Sequence, residues 1–395
     1  MRALITHYSF ATIGGAERVS LKVVGYLSNV LGMKVDILCY DAPDVERVRL
    51  QYGLVVGTDV RFIGLSGPVG TNLQLFRIAH LHRESRKIAA EYDLCISTYN
   101  EQDFGFPALQ YVHHPIFESR EVLRRYRIIP RENVIDRYGV LEKVYYGFLN
   151  AYAGADVQRR RQNLTMTNSG FMGGILRECG YGDLRVLYPG FLQNEGGAAH
   201  GVGVEKRHRI FSLGRIEPDK HTLNLVQLYK ALHEVDPELE LVICGLTGSA
   251  DYLAQVRELV DSLGVPITFM LDQDRKSVLE LIHSSKFYIN PKPFEHFGIA
   301  TVEAIEAGCI PFVHNSGGNK ELVPFGELRF DDVNDLVAGY NALRNDIPRQ
   351  DQILRDLGHT LEAYSSDTFF KLFHEIIRLY LKDKGTVIGP YKELK

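Results

Sequence analysis

Two glutamates flank a glycine in the stretch PFEHFGIATVEAIEAGCIPFVHNSGG, from Pro293 to Gly318. Glu295 precedes a Phe-Gly turn, and Glu303 lies eight positions later in a short apolar segment. Because Gly298 lets the backbone approach a ligand closely, we predict a short helix from Ile299 to Ala307 whose N-terminus faces that ligand. The first N–H groups of a helix lack partners and carry roughly half a unit of positive charge, so a diphosphate can dock there.

The spacing of the two acids suits a nucleotide. Glu303 lies five residues beyond Gly298, which is roughly 7 Å along a helix axis at about 1.5 Å per residue. That distance matches the reach from a phosphate to a ribose, whereas Glu295, before the helix, would lie toward the group that is transferred. Two solvated surface acids are the alternative interpretation of the pair alone.

Two cations stand at the end of another predicted strand, in SLGRIEPDKHT. Arg215 and Lys220 are five positions apart and could neutralise a diphosphate as its bond to a sugar breaks, as a metal ion does elsewhere. Arginine offers a planar fork for two phosphate oxygens, and lysine acts as a compact point charge. A surface pair is the alternative, and we interpret Glu217 and Asp219 between them as solvated loop acids.

The first half of the chain carries two further candidates. Gly14 and Gly15, in SFATIGGAER, open a predicted helix after the first strand, where glycine permits unusual backbone angles and close approach of a phosphate. His113 and His114, in YVHHP, end a predicted strand and point in opposite directions if the strand continues. Adjacent strand residues diverge and no third ligand is evident, so we do not predict a metal site there.

These residues lie within an alternation of short apolar runs and longer amphipathic ones, which is typical of parallel sheets covered by helices. Strand candidates include RALITHY, VDILCY and ALQYVHH in the first half and RIFSLG, LELVICG and KFYIN in the second. The Gly-rich segment at 193–203 predicts a linker between the halves. Helices are predicted at 16–30, 73–91, 140–153, 170–179, 223–235, 250–263, 276–284, 299–307 and 368–383.

The motif of an acid, seven residues and a second acid, with FG after the first acid and NSGG downstream, resembles the signature of glycosyltransferase family 4, whose members are retaining GT-B enzymes. The segments EHFGI, VEAIEAG and HNSGGNKELV are most similar to the branch of lipid-linked oligosaccharide mannosyltransferases. His296, where most of the broad family has glycine, fits that branch.

The resemblance implies an α/β GT-B fold, in which two Rossmann-like doubly wound domains face each other across a cleft and bind ligands at the carboxyl ends of their strands. Residues 1–192 plus 366–395 would form the acceptor-side domain with a returning C-terminal helix, 193–203 the linker, and 204–365 the nucleotide-sugar domain. In this architecture Gly245 and Asp272 would lie near the base.

The resemblance also implies roles for single residues. His113 would hydrogen-bond the transferred sugar, and the turn at Gly14 and Gly15 would border the donor phosphate. The glycines of NSGG would bring N–H groups near the phosphates, although a simple turn is an open alternative. The implied catalytic residues are Glu295, His113, Arg215 and Lys220, and the implied donor-binding residues are Glu303, Gly14, Gly15, Gly298, Phe297, Gly317 and Gly318.

We therefore predict a retaining, metal-independent and cofactor-free glycosyltransferase. It would move a hexose, with mannose favoured, from a nucleoside diphosphate sugar to a hydroxyl of a glycan or lipid-linked acceptor, and GDP-mannose is favoured over UDP-sugars. A sugar-nucleotide epimerase of the same fold and a non-catalytic nucleotide-sugar-binding protein are the alternatives. An NAD-dependent oxidoreductase is disfavoured, because no G-x-G-x-x-G with an acid about 20 residues later follows the first strand.

Composition and charge bound the location and partners. The 395 residues are 45% apolar and 24% charged, and the net charge of −4 argues against a dedicated nucleic-acid binder. No signal peptide and no apolar run of about 20 residues is visible, which predicts a cytoplasmic protein. The segment from Glu118 to Asn163 contains ten basic and six acidic residues, interleaved with several tyrosines. This region predicts a face for anionic lipid head groups, and so a peripheral position on the inner membrane face, or for a polyprenyl diphosphate acceptor. A pair of solvated helices is the alternative.

Overall fold

Two α/β units make up the chain in the computed structural model, which describes residues 1–67, 73–127, 139–190 and 205–391. The first unit combines Met1–Gly190 with Ser366–Lys395, and the second is Phe191–Ser365. The predicted linker, 193–203, lies outside the described residues. The predicted fold class, with two doubly wound parallel sheets, is confirmed.

The first unit is built on seven parallel strands in the order β3-β2-β1-β4-β5-β6-β7. Strands β4 and β5 are buried along their whole length, as expected for a parallel sheet with helices on both faces. The strand order reverses between β1 and β4. Strands β1 to β7 are Arg2–Thr6, Lys34–Cys39, Val60–Gly64, Leu94–Ser97, Leu109–Val112, Leu164–Thr167 and Leu184–Val186.

The helices that cover this sheet follow the predicted pattern, with one change of geometry. The helix predicted at 16–30 is α-helical only to Gly25 and continues as a π-helical segment over Tyr26–Val30. The helix Val45–Tyr52 was not predicted; the Asp44 side chain caps it by accepting the Arg47 N–H. Helices α1 to α7 are Gly15–Gly25, Val45–Tyr52, Gln74–Ile88, Arg120–Arg125, Gly139–Ala153, Val157–Arg161 and Gly170–Glu178.

The final helix of the chain, Ser366–Asp383, packs against the first unit. The Tyr26 ring stacks on Phe370 with 5.3 Å between ring centroids, and the Tyr26 hydroxyl lies 2.7 Å from His374 Nδ1. Near the start of the helix, Lys22 Nζ donates to Ser366 Oγ at 2.8 Å. Because its apolar face is buried by these contacts, the helix is part of the core of this unit.

The second unit is built on six parallel strands in the order β10-β9-β8-β11-β12-β13, so its strand order reverses between β8 and β11. Strands β8 to β13 are Arg207–Leu213, Glu240–Gly245, Ile267–Leu271, Ser285–Asn290, Ile310–His314 and Arg329–Phe330. Helices α8 to α14 are Thr222–Val235, Ala250–Leu263, Arg275–Ser284, Ile299–Glu306, Asn319–Leu322, Val333–Leu343 and Ile347–Thr360, and the final helix of the chain is α15. In the part of the chain that the structure describes, no helix is both long and apolar enough to cross a membrane.

Candidate active site

The predicted cations and Glu295 meet at the point where the strand order of the second unit reverses. The loop after β8 carries Arg215 and Lys220, and the loop after β11 carries Glu295. At such a switch point the neighbouring connections run to opposite faces of the sheet, which leaves a crevice at the carboxyl ends of the strands. The structure therefore brings three of the four predicted catalytic residues to the usual ligand position of a doubly wound sheet.

Two lysines hold the Glu295 carboxylate. Lys220 Nζ lies 3.3 Å from Glu295 Oε2, and Lys292 Nζ lies 3.8 Å from Glu295 Oε1. Burial raises the pKa of Glu295, but the charges of Lys220, Lys292 and His296 outweigh it and hold this pKa well below its ordinary value. The charge of Glu295 in turn raises the pKa of Lys220, so both groups of this pair stay ionised at neutral pH.

The acids of the β8 loop are also paired. Arg215 Nη1 lies 3.4 Å from Glu217 Oε1, and Lys292 Nζ lies 3.4 Å from Asp219 Oδ2. Asp219 is 50% exposed, as predicted for a solvated loop acid, whereas Glu217 is 27% exposed, and each acid also has a cationic partner. The side chain of Arg215 remains 57% exposed, so its guanidinium is accessible to a ligand.

Helix α11 begins where the sequence predicts, and Gly298 is the reason. This residue has φ of 108°, and a Cβ built on it would lie 2.3 Å from Asn319 Oδ1. Only glycine tolerates both conditions. The Thr301 hydroxyl donates to the same Asn319 oxygen at 2.9 Å, which ties the first turn of α11 to α12. The start of the helix is thereby fixed beside the Glu295 loop.

The predicted ribose ligand Glu303 forms an ion pair with Arg275. Arg275 Nη2 donates to Glu303 Oε1 at 2.8 Å and Nη1 donates to Oε2 at 3.4 Å, which is the two-pronged geometry of a strong pair. The carboxylate is 10% exposed. A ribose bound by Glu303 would share that carboxylate with Arg275. The sequence indicated no role for Arg275, because its partner is 28 positions away.

The glycines of NSGG support the Glu295 loop. Gly317 has φ of 72°, and a Cβ on it would lie 2.5 Å from the Glu295 carbonyl oxygen. Gly318 donates its N–H to that oxygen at 2.7 Å. Phe297 is 3% exposed and its ring lies 5.7 Å from the Tyr364 ring, so any donor contact by Phe297 must come from its backbone.

Gly245 and Asp272 lie side by side at the ends of β9 and β10. Asp272, with φ of 54°, donates its N–H to the Gly245 carbonyl at 2.9 Å. Its carboxylate accepts from the Thr247 N–H at 2.9 Å and from the Thr247 hydroxyl at 2.8 Å. These bonds fix the loop where we predict the nucleotide base, and that assignment stays a prediction.

The glycine turn of the first unit has ordinary backbone geometry. Gly14 has φ of −108° and ψ of −157°, which is extended, and Gly15 is the first residue of α1, so the expectation of unusual backbone angles is wrong. Gly14 donates its N–H to Glu17 Oε2 at 2.9 Å, and Glu17 Oε1 lies 3.5 Å from His7 Nε2. The turn is thus held by a side chain from its own helix.

Two consecutive side chains hold the loop that carries His113. Asn100 Oδ1 accepts the N–H groups of His113 and His114, both at 3.0 Å. Glu101 Oε1 accepts the N–H of Ile116 at 2.6 Å. The loop is therefore rigidly positioned after β5, although nothing in the local pattern around the histidines indicates these partners.

The His113 ring is suited to a neutral hydrogen bond. The residue is 9% exposed, and its Nε2 is buried without a hydrogen bond to any described residue. Burial lowers the pKa of His113 to about 3, with smaller contributions from His7 and His114. A neutral imidazole can donate to or accept from a sugar hydroxyl, and that role of His113 remains a prediction.

The basic region predicted as a lipid-facing surface is largely an ion-pair network where the structure describes it. Arg160 is fully buried, which leaves it without access to a lipid surface. Five other arginines have carboxylate partners: Arg120 and Arg124 pair with Glu142, Arg125 with Glu178, Arg159 with Asp103, and Arg161 with Glu118. A free cationic face is thus not what these residues form.

The same region instead exposes an apolar stripe along α5. Val140, Leu141, Val144 and Phe148 are 76%, 59%, 64% and 53% exposed. They recur at helical spacing on one side of α5, and large apolar side chains grouped in this way mark interaction surfaces more often than scattered ones do. We refer to these four residues as the α5 stripe.

The described ranges contain no group of three or more His, Cys, Asp or Glu side chains arranged to hold a metal ion. The five cysteines are all free and buried.

The family model described as glycosyl transferases group 1 matches residues 201–347. That match covers the loops of Arg215, Lys220, Lys292 and Glu295 and the whole of α11. The predicted resemblance to a glycosyltransferase family is therefore confirmed for this stretch of the chain.

Curated proteins with similar sequences include mannosyltransferases. The chain is 26% identical over 233 residues to a protein from Candida glabrata named GDP-Man:Man(3)GlcNAc(2)-PP-Dol alpha-1,2-mannosyltransferase, covering 54% of this chain and 44% of that protein. The chain spans less than half the length of the first curated relatives, with 44%, 45% and 37% of them covered.

Solved structures share the fold along nearly the whole chain. HepE from Anabaena, solved with UDP and glucose, has a TM-score of 0.66 at 17% identity and covers 95% of this chain and 99% of its own. Sucrose-phosphate synthase from Thermosynechococcus elongatus has a TM-score of 0.69 at 15% identity and covers 97% and 99%. At these identities the likeness establishes the GT-B fold and nothing about substrates.

Proposed function

We propose that the chain is a retaining glycosyltransferase that moves a hexose from a nucleoside diphosphate sugar to an acceptor hydroxyl. The observation that carries the proposal is the charge cluster at the switch point of the second unit, where Lys220 and Arg215 face the same crevice as Glu295. Cations held at the carboxyl end of a doubly wound sheet, beside a helix N-terminus, suit a departing diphosphate. Glu303 supplies a carboxylate for the ribose.

GDP-mannose is the proposed donor, and a polyprenyl-linked glycan is the proposed acceptor. Support comes from the names of the relatives, which describe transfer from GDP-mannose to a dolichol-linked oligosaccharide. His296 in the EHFGI segment fits the same branch, as the sequence indicated.

The proposed reaction breaks the bond between the anomeric carbon and the diphosphate oxygen, and the bonding electrons go to the leaving diphosphate. The acceptor hydroxyl attacks from the face that the diphosphate leaves, and its proton passes to a diphosphate oxygen. Lys220 and Arg215 stabilise the charge that develops on the leaving group, which is the part of the reaction where fixed charge contributes most. No covalent glycosyl-enzyme is required, and no metal ion is assigned a role.

A donor screen tests the function. Thermal unfolding would be followed with GDP, UDP and ADP and with their hexose conjugates, because a ligand at about 100 times its Kd stabilises the native state by about 2.7 kcal/mol. We expect GDP to raise Tm most and GDP-mannose to be cleaved to GDP. Isomerised nucleotide sugar without free GDP would favour the epimerase alternative, and donor binding without turnover across acceptors would favour the non-catalytic one.

We further propose a peripheral position on a lipid surface through the α5 stripe. Four large apolar side chains on one helix face can bury themselves in the headgroup region of a bilayer. Since most described arginines nearby are already paired with carboxylates, the support lies with the apolar residues and not with a cationic face. A lipid-linked acceptor would place the enzyme at such a surface.

Replacing Phe148 with Asp should weaken binding to vesicles several-fold, because one of the four exposed apolar side chains of the stripe becomes charged. Flotation with vesicles of phosphatidylcholine and phosphatidylserine would be measured at about 0.1 M and about 0.5 M salt, and we expect little difference between them. Leu379→Asp, on an exposed face of α15, is the matched control. Binding that disappears at high salt and ignores Phe148→Asp would contradict the apolar interpretation.

A further inference from the structure

Lys292 is a partly buried cation at the candidate site to which neither the sequence nor the comparisons assign a role. It lies between two prolines in the loop after β11, and its backbone N–H donates to Asn290 Oδ1 at 3.0 Å. Its side chain is 14% exposed. Nζ is 3.4 Å from Asp219 Oδ2 and 3.8 Å from Glu295 Oε1. The ammonium therefore joins the β8 loop to the β11 loop.

The carboxylate of Glu295 has a different cation on each oxygen. Oε2 faces Lys220 Nζ at 3.3 Å, and Oε1 faces Lys292 Nζ at 3.8 Å. Oε1 also accepts the N–H of His296 at 3.0 Å. Because Glu295 itself is only 14% exposed, water contributes little to its solvation and these partners supply most of it.

We propose that Lys292 is a positioning residue that keeps Glu295 ionised and in place while Lys220 is engaged by the donor diphosphate. The inference rests on the proposed function, in which Lys220 faces the leaving group. A diphosphate is a stronger attraction for Lys220 than one carboxylate, so donor binding draws the ammonium away from Glu295 or shares it. Without Lys292, a buried carboxylate beside an anion would lack a counter-charge and would take up a proton.

The groups around Glu295 support separate roles for Lys220, at the diphosphate, and Lys292, at Glu295. The charged or titratable side chains facing it are Lys220 and Lys292, the His296 imidazole, and the buried Tyr288 from β11. Burial raises the pKa of Glu295, and the charges of the two lysines and His296 lower it to well below its ordinary value. Removing one lysine therefore raises this pKa.

Loss of Lys292 changes the pH at which activity is lost in acid. A carboxyl group with a lowered pKa is ionised across the neutral range and becomes protonated only in acid. If its pKa rises, the activity that requires the carboxylate is lost at higher pH than before. Without Lys292, burial and the bound diphosphate are expected to raise this pKa above its ordinary value. The acidic limb of the kcat profile of Lys292→Met, which reports groups in the enzyme–substrate complex, should then lie within about pH 4.5–6.5, whereas the wild-type limb lies below about pH 4.5.

The test compares wild type with Lys292→Met, Lys292→Arg and Lys292→Gln, using release of GDP from saturating GDP-mannose between about pH 4.5 and 8.5. Lys292→Arg keeps the charge and should restore the wild-type limb, whereas Lys292→Gln should behave like Lys292→Met. At high pH we expect the Kd for GDP in Lys292→Met to stay within about threefold of wild type, because the proposal gives Lys292 no contact with the diphosphate. Lys230→Met, on the exposed face of α8, is the control.

Two results would overturn the inference. A uniform fall in kcat at every pH without a shift of the acidic limb would mean that Lys292 is merely structural, and thermal unfolding of each variant would show the matching loss of stability. A tenfold or larger rise in the Kd for GDP at high pH would mean that Lys292 contacts the diphosphate itself. Failure of the wild type to release GDP would instead contradict the proposed function, so the two failures are distinguishable.

Discussion

Lys220→Met will slow both sugar transfer and donor hydrolysis by roughly 10²–10³-fold while the protein stays folded. The Lys220 ammonium is the cation held against Glu295 at 3.3 Å, and it is the compact charge proposed to stabilise the leaving diphosphate. Its pKa is raised, chiefly by Glu295, so it is fully charged wherever the enzyme is assayed. The rates would be measured as GDP release with and without acceptor.

The free energy of unfolding of Lys220→Met distinguishes a loss of catalysis from unfolding of the site. Because Lys292 remains beside Glu295, we expect the free energy of unfolding of Lys220→Met to fall by no more than about 2 kcal/mol. Lys230→Met, which removes an exposed lysine from α8, should retain wild-type rates and stability. Turnover of Lys220→Met within a few-fold of wild type would contradict the assignment of Lys220 to the leaving group.

Gly317→Ala will destabilise the second unit by about 2–4 kcal/mol and reduce activity at least tenfold. The new Cβ would lie 2.5 Å from the Glu295 carbonyl oxygen and 2.7 Å from the Glu295 nitrogen, and the residue has φ of 72°, which alanine rarely adopts. Either the backbone of Gly317 or the Glu295 loop must move. Thermal unfolding and GDP release together measure both effects.

The matched control for this prediction is Gly326→Ala. A Cβ on Gly326 would meet nothing within 4 Å, and the residue begins a short 3-10 turn in the same unit. We expect its stability to change by less than about 0.5 kcal/mol and its activity to match wild type. If Gly317→Ala behaved like Gly326→Ala, the support of the Glu295 loop by NSGG would be disproved.

Local signals in the sequence were enough to place the helix and loops of the site. Gly298 ends a turn and opens α11 at Ile299, which is the predicted first residue, because only glycine fits its backbone angle beside Asn319. Alternating apolar runs were enough to predict two parallel sheets, since inner strands such as β4 and β5 are buried on both faces. These features depend on residues close together in the chain.

The partners of the charged side chains could not be read from the sequence. Glu303 pairs with Arg275 from another helix, and Lys292 links Asp219 to Glu295 across two loops. Such pairs form only when folding brings distant segments together, so no spacing rule indicates them. The helices Val333–Leu343 and Ile347–Thr360 were also not predicted, although Asp332 and Asp346 cap them.

The charge count between Glu118 and Asn163 does not predict the surface of that region, because the partners of its arginines also come from distant segments. The arginines between Glu118 and Asn163 suggested a cationic surface, but folding supplies Glu142, Glu178 and Asp103 as partners for several of them. The exposed property of that region is the α5 stripe, which is apolar. Net charge along a segment therefore says less about a surface than the pairing of its side chains.

The most direct test of the proposed chemistry is the anomeric configuration and stoichiometry of the product made from GDP-mannose. NMR would follow the reaction of the wild type and of Lys220→Met with a polyprenyl-linked glycan acceptor. We expect the wild type to form GDP and mannosylated product in equal amounts, with the donor's anomeric configuration retained, and Lys220→Met to form almost none. An epimerised nucleotide sugar without GDP, an inverted linkage, or equal product from Lys220→Met would contradict the proposal.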